Sequence, residues 1–166
     1  PLATTEGALV ASVNRGCKAL RLSGGVKVTS VYHGVSRSIV MKIPCHIEPV
    51  EMRHGMGNVS MTHCHIQELE NEWKPIGEAT SNHLKILKYD IDTKDDYIFL
   101  TIYADTDEAM GMNMVTIAAE TIGKWITENL DLEFVTVAAN VDSDKKPSQR
   151  THDRGRGYEV TATTTV

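Results

Sequence analysis

The chain has 166 residues, 41% apolar and 23% charged, with a net charge of −5. This is the balance of an ordinary globular protein with enough length for one normal core, and it excludes a strongly basic nucleic-acid-binding surface. No apolar run approaches the roughly 20 residues that cross a bilayer. The three cysteines, Cys17, Cys45 and Cys64, are odd in number and unevenly spaced, which argues against a disulfide framework and for a reducing compartment.

Taken in order, the chain opens on Pro1-Leu2-Ala3-Thr4-Thr5-Glu6-Gly7, without an initiator Met or a signal-peptide pattern. It closes within an apparent strand, so both ends read as points inside a longer polypeptide. Thr5 to Leu20 has helical spacing, with Leu9, Val13 and Leu20 near one face and Thr4 or Thr5 as N-cap; Asn14 to Gly16 is a place for it to end or break. Ser23-Gly24-Gly25 breaks the pattern. Val26 to His33 and Ser38 to Ile43 read as two strands, the second closed by Pro44.

Cys45 to Thr80 reads as two short helices. Pro49 suits a first turn, Gly55 and Gly57 make a break, and Pro75 should kink or shorten the second helix, whose apolar stripe is Ile66, Leu69, Trp73 and Ile76. Leu84 to Ile91 and Tyr97 to Tyr103 form an expected hairpin around Thr93-Lys94-Asp95. Val115 to Leu130 is the clearest helix, its buried stripe being Met114, Ala118, Ile122, Trp125 and Ile126. Glu133 to Val137 is a strand, Asp142 to Arg156 a polar basic loop, and Gly157 to Val166 again β-rich.

From Ser38 to Val137 this order is β, helical region, β, β, α, β, which matches the split β-α-β plan of ferredoxin-like domains. The expected fold is therefore α+β: a small ferredoxin-like domain at 35–137, inserted between segments 1–34 and 138–166 of a larger, incomplete domain.

Three stretches carry candidate chemistry. Asp107-Glu108-Ala109-Met110-Gly111-Met112-Asn113-Met114 joins a strand to a helix start, whose free N–H groups favour anions. Gly111 between two long side chains lets backbone approach a ligand closely. Asp144-Lys145-Lys146-Pro147, with Asn140 upstream, offers cations for a carboxylate or oxyanion; taken alone it is an ordinary solvated basic loop. Glu6 is a candidate acid, although a lone Glu there also suits a helix N-terminus. Arg37, just ahead of a strand, reads by itself as a surface arginine. Cys45-His46 and His63-Cys64-His65 have no usual zinc spacing.

Together these segments resemble the catalytic region of 3-hydroxy-3-methylglutaryl-coenzyme A (HMG-CoA) reductases. The resemblance rests on Pro1 to Gly7, Asn14-Arg15-Gly16-Cys17, Ala109 to Met114, and Asp144-Lys145-Lys146-Pro147, in register along the whole chain, with Gly155-Arg156-Gly157 as a weaker signature. The Met-Gly-Met-Asn-Met form is similar to the first class of that family.

The resemblance implies reduction of HMG-CoA to mevalonate and CoA with NADP(H) as cofactor. It implies Glu6 and Lys145 as catalytic residues. It implies Glu108, Met110, Gly111, Met112, Asn113 and Met114 as the cofactor seat, and Gly7, Ser12, Asn14, Arg15, Arg37, Asn140 and Lys146 as substrate contacts. It further implies a homodimer or higher oligomer and a cytoplasmic or cytosol-facing location, with no metal, nucleic-acid or membrane contact. The sequence departs from the family pattern at Glu108, at Ala138-Ala139 and at Ser148 to Asp153. Near Ser81-Asn82-His83, where relatives carry an Arg for the 2′-phosphate, only His83, Lys85 and Lys88 are at hand. The family's second acid and late histidine have no counterpart here, so the stretch alone is expected to hold part of a site and not to turn over. The competing reading is a non-enzymatic ferredoxin-like binding or assembly module.

Overall fold

The structure is a computed structural model that describes residues 6–44, 57–139, 141 and 148–165. Its elements are α1 (Gly7–Leu22), β1 (Lys27–Lys42), α2 (Gly57–Glu68), α3 (Glu70–Glu78), β2 (Lys85–Lys94), β3 (Tyr97–Asp105), α4 (Met112–Leu130), β4 (Glu133–Val137), α5 (Gln149–Arg154) and β5 (Gly157–Thr163). They form two compact units, Pro1–Val31 with Tyr158–Val166, and Tyr32–Gly157.

The larger unit is a mixed helix and antiparallel sheet structure. Its strands lie in the order β2-β3-β1-β4, and each neighbouring pair is antiparallel. Ile39, Met41, Ile98, Leu100, Ile102 and Ala104 point to one face, where they are fully buried with Trp73 of α3 and Val115, Ala118, Ala119, Ile122 and Ile126 of α4. Each such branched side chain contributes about 2 kcal/mol on burial. Where α3 crosses α4, a Cβ on Gly77 would stand 2.4 Å from the tip of the Ile122 side chain, so a larger residue there would require Ile122 to move.

The smaller unit contains α1, none of whose residues is buried. In it β5 pairs with β1, and the Thr164 hydroxyl donates to the Gly25 carbonyl at 2.8 Å.

Several sequence expectations are corrected. β1 is one strand of 16 residues, not two. Gly34, just past the strand end expected at His33, adopts φ +85 inside it, and its absent side chain leaves room for the Ala104 carbonyl, 2.9 Å from where a Cβ would be. Arg37 consequently lies within the strand, opposite Ile102. α1 runs unbroken through Asn14 to Gly16, because a single exposed glycine costs a helix only about 1 kcal/mol. Glu6 is its N-cap residue; Thr4 and Thr5 lie outside the described residues.

Of the two helices expected after Cys45, the first, with Pro49 in its opening turn, falls outside the described residues; the second is divided, with Gly57 opening α2 and a break at Leu69, six residues before Pro75. Pro75 is accommodated inside α3, while the Trp73 indole N–H donates to the Ile66 carbonyl at 2.9 Å and holds the bend. Pro49 and Gly55 lie outside the described residues. The β2–β3 hairpin closes at the pair Lys94 and Tyr97, with Asp95 at φ +52, one residue beyond the expected turn. Finally, the expected loop at 142–156 contains α5.

Candidate functional site

β3 ends at Asp105 and the next six residues make a tight turn into α4. Thr106 is buried; its hydroxyl donates to the Ala109 carbonyl at 2.8 Å, and the Ala109 N–H returns a bond to the Thr106 carbonyl at 3.2 Å. The Asp107 N–H donates to the Asp105 carboxylate at 3.1 Å, with Asp107 in the left-handed region at φ +52. Gly111 is the N-cap residue of α4, at φ +75. A Cβ on Gly111 would stand 2.4 Å from the Thr106 side chain. Both the backbone angle and the crowding therefore demand glycine here.

Beyond Gly111, Val115 N–H donates to the Gly111 carbonyl at 2.9 Å and begins the helical ladder. The amides of Met112, Asn113 and Met114 precede that ladder and have no partner within the helix. Beside them opens a cleft of about 480 Å³ lined by His83, Thr106, Asp107, Glu108, Ala109 and Met114. Of these described lining residues, His83 is the one that can carry positive charge. Its Nδ1 lies 2.8 Å from the Asp107 carboxylate, with both side chains well exposed. Met110 is exposed at the turn, whereas Met114 packs partly against the core.

The structure thus brings Glu108 and Met114 together at one cleft, with Met110, Gly111, Met112 and Asn113 on the adjoining turn and helix start. Glu6, Gly7, Ser12, Asn14 and Arg15 lie at the start and along the exposed surface of α1. The Glu6 carbonyl accepts from Leu9 and Val10 at 3.1 and 3.3 Å, and its side chain makes no capping bond. Helical spacing puts Gly7, Ala11, Asn14 and Arg15 on one side of α1. Arg37 is half-buried in β1, on the sheet face of Ile39 and Met41. Asn140, Lys145 and Lys146 lie outside the described residues. His63, Cys64 and His65 are consecutive on α2 and so diverge by roughly 100° each; Cys45 and His46 lie outside the described residues.

Two features were missed in the sequence. One is Thr106, the wall against which Gly111 is pressed. The other is α5, a helix of six residues with Ser148 as N-cap, its hydroxyl accepting from the Thr151 N–H at 3.1 Å. Its arginines meet the outer face of the sheet: Arg154 holds the Asp92 carboxylate through two bonds of 2.8 and 2.9 Å. The available signal was Arg150 and Arg154 at i, i+4 against Asp90 and Asp92 at i, i+2, each pair on one face of its element. Hydrogen bonding from Arg154, and then from Arg150, holds the Asp92 carboxyl below the usual carboxylate range despite partial burial. Burial, and then the hydrogen bond to Asp90, pushes Tyr103 up to about 12.

The family model for hydroxymethylglutaryl-coenzyme A reductase matches residues 1–166. The chain belongs to that family. Among curated HMG-CoA reductases, it is 34% identical to that of Halobacterium salinarum over the whole chain, covering 38% of the relative. It is 37% identical to that of Pyrococcus abyssi over 98% of the chain, again covering 38% of the relative. The chain therefore spans less than half the length of these reductases. Among solved structures, the class II reductase of Streptococcus pneumoniae described as bound to NADPH superimposes with a TM-score of 0.64 at 16% identity, over 85% of this chain and 37% of that one. That likeness concerns the fold.

Proposed function

We propose that the chain contributes to the NADPH-dependent reduction of HMG-CoA to mevalonate and CoA, supplying the cofactor seat and part of the substrate site. The observation that carries this reading is Gly111, held in a left-handed conformation against Thr106 at the opening of α4, beside a cleft of about 480 Å³. Such a volume lies within the usual range for small-molecule sites, about 300–1,000 Å³. The helix-start amides of Met112, Asn113 and Met114 suit a phosphate or carboxamide oxygen. The bare backbone at Gly111 allows close approach, and Met110 and Met114 offer soft apolar surface to a nicotinamide ring. Glu108 stands at the lip for a polar group of the same ligand. NADPH, when bound, would supply hydride to the thioester carbon, and reduction to the alcohol takes two such hydrides.

The remaining assignments follow the family. Lys145 stabilises the oxyanion that develops on the thioester oxygen, and Glu6 exchanges the proton there. Lys146, Arg37 and Asn140 bind the HMG carboxylate and carbonyl region, Gly7 and Ser12 line the pocket, and Asn14 and Arg15 meet the CoA portion. The strand order β2-β3-β1-β4, with every pair antiparallel and α3 and α4 packed on one face, supports a ferredoxin-like reading of 35–137 as the NADP(H) domain. Segments 1–34 and 138–166 then belong to the substrate domain. A homodimer acting in the cytoplasm, or on the cytosolic side of a membrane, completes the reading.

NADPH fluorescence titration of the full-length protein tests it. Saturable binding that is lost in Gly111→Trp is expected; no saturable binding in the unmutated protein overturns the reading and favours a non-enzymatic module. For the chemistry, Lys145→Ala should lower kcat by about 100-fold or more while NADPH affinity stays level. A rise in KM alone would make Lys145 a substrate anchor. Glu6→Gln should retain substrate binding and lose reduction.

A further inference from the structure

In sequence, Lys145 and Lys146 fall in the segment between β4 and α5, and the described residues on the two sides of them, Ala138–Ala139 and Arg150, are both linked to Ser38. This residue is fully buried in the middle of β1. Its carbonyl accepts the Ala138 and Ala139 N–H groups at 2.9 and 3.3 Å, immediately before the segment. Its hydroxyl is hydrogen-bonded to that of Thr101, and Thr101 in turn accepts from Arg150 Nη2 at 3.0 Å. Arg150 stands immediately after the segment, in the first turn of α5.

Arg150 is itself locked. Its Nη1 lies 2.7 Å from Asp92, whose carboxylate also receives the two bonds from Arg154. Arg154 reaches Asp90 at 3.3 Å, and Asp90 accepts from the Tyr103 hydroxyl at 2.9 Å. Lys88 donates to the Arg154 carbonyl at 3.2 Å and lies 4.3 Å over the Tyr103 ring. Gly155, at φ +71, ends the helix against the His33 ring.

A helix of six residues is far too short to persist on its own, so these contacts hold it in place. An apolar patch would attach it as firmly with less desolvation. What directional, bidentate bonds add is a single register. We infer that Ser38, Thr101 and Arg150, with Asp92 as the shared clamp, are positioning residues that fix both ends of the lysine-bearing segment on the sheet. The part of this inference that concerns catalysis rests on the role proposed for Lys145; the anchoring itself does not.

The test uses the full-length protein with Thr101→Val, which keeps the side-chain shape and removes the acceptor, and Thr101→Ser, which restores the hydroxyl. Amide hydrogen exchange across 140–148 should speed up about tenfold or more in Thr101→Val and return toward the original rate in Thr101→Ser, as expected for losing the bond from the charged donor together with the bond to the Ser38 hydroxyl. In the same variant kcat should fall about tenfold while the Kd for NADPH changes less than about twofold, since the cofactor turn is built from other bonds. Arg150→Lys, at a partly exposed position, keeps the charge and loses the second donor; it should shift exchange and kcat in the same direction even if Thr101→Val folds poorly. Unchanged exchange across 140–148 in both Thr101→Val and Arg150→Lys overturns the inference, as does a fall in Tm with loop exchange and kcat unaltered. Failure of the unmutated protein to bind NADPH would instead remove the proposed function and leave the exchange test of the anchoring intact.

Discussion

The two faces of the four-stranded sheet in the Tyr32–Gly157 unit solve the same problem by opposite means. One face presents Ile39, Met41, Ile98, Leu100 and Ile102 to α3 and α4, and is held by non-directional apolar burial. The other presents Ser38, Asp90, Asp92, Thr101 and Tyr103, and holds α5 through hydrogen bonds and ion pairs. The first arrangement supplies most of the stability, because buried branched side chains contribute more than partly exposed ion pairs. The second supplies orientation. The candidate cleft lies at the end of the apolar layer, where β3 passes into α4, and α5 is tied to the polar layer.

This contrast can be broken from either side. Ile102→Ala, on the apolar face, should lower unfolding free energy by about 3 kcal/mol in urea titration; a loss below about 1 kcal/mol would mean that the helix layer is loosely packed. Gly111→Ala, at the edge of that layer, should cost about 2 kcal/mol from left-handed strain and the Thr106 collision, and NADPH titration should show weakened binding. Asp92→Asn, on the polar face, should cost about 1–2 kcal/mol, with solvent screening of a partly exposed site taken into account; the loss should shrink in high salt.

Acid sharpens the same distinction. The folded Asp92 carboxyl titrates below its unfolded value, so its contribution is fully present above about pH 4 and is lost as pH falls below that through the lowered folded value. The stability difference between Asp92→Asn and the unmutated protein should therefore narrow below about pH 4, whereas the Ile102→Ala difference should not. The smallest effect belongs to His83→Ala. The His83–Asp107 pair is exposed on both sides, and its removal should shift Tm by no more than a few tenths of a kcal/mol would.

Legibility in the sequence followed the same division. The apolar face was readable because burial imposes a period: the α4 stripe through Ala118, Ile122 and Ile126, and the alternation in β3, are both visible in one dimension. The turn at Gly111 was readable because a glycine between long side chains is unusual. The polar face was hard to read, because Asp92, Thr101 and Arg150 are far apart in the chain, and the spacings of Arg150 with Arg154 and of Asp90 with Asp92 do not say that the two pairs meet. α5 is shorter than any period could reveal. The strand end expected at His33 was wrong because a glycine that ends a strand and one, like Gly34, that admits a neighbouring carbonyl look identical in sequence. For the candidate site, Glu108, Met114 and the Gly111 turn fall around one cleft, but Thr106, which makes the glycine obligatory, has no signature of its own.

Trp73 gives this division a practical use. The chain has two tryptophans: Trp73 is sealed beneath α2 with the Tyr89 ring edge-on at 5.1 Å, and Trp125 packs against the same helix layer. Ultraviolet emission from the indoles therefore watches one side of the sheet and is blind to the other. A denaturation curve followed by that emission would miss a detached α5 altogether, so a variant with normal optical melting and accelerated amide exchange after β4 would have come loose only where the optics cannot see.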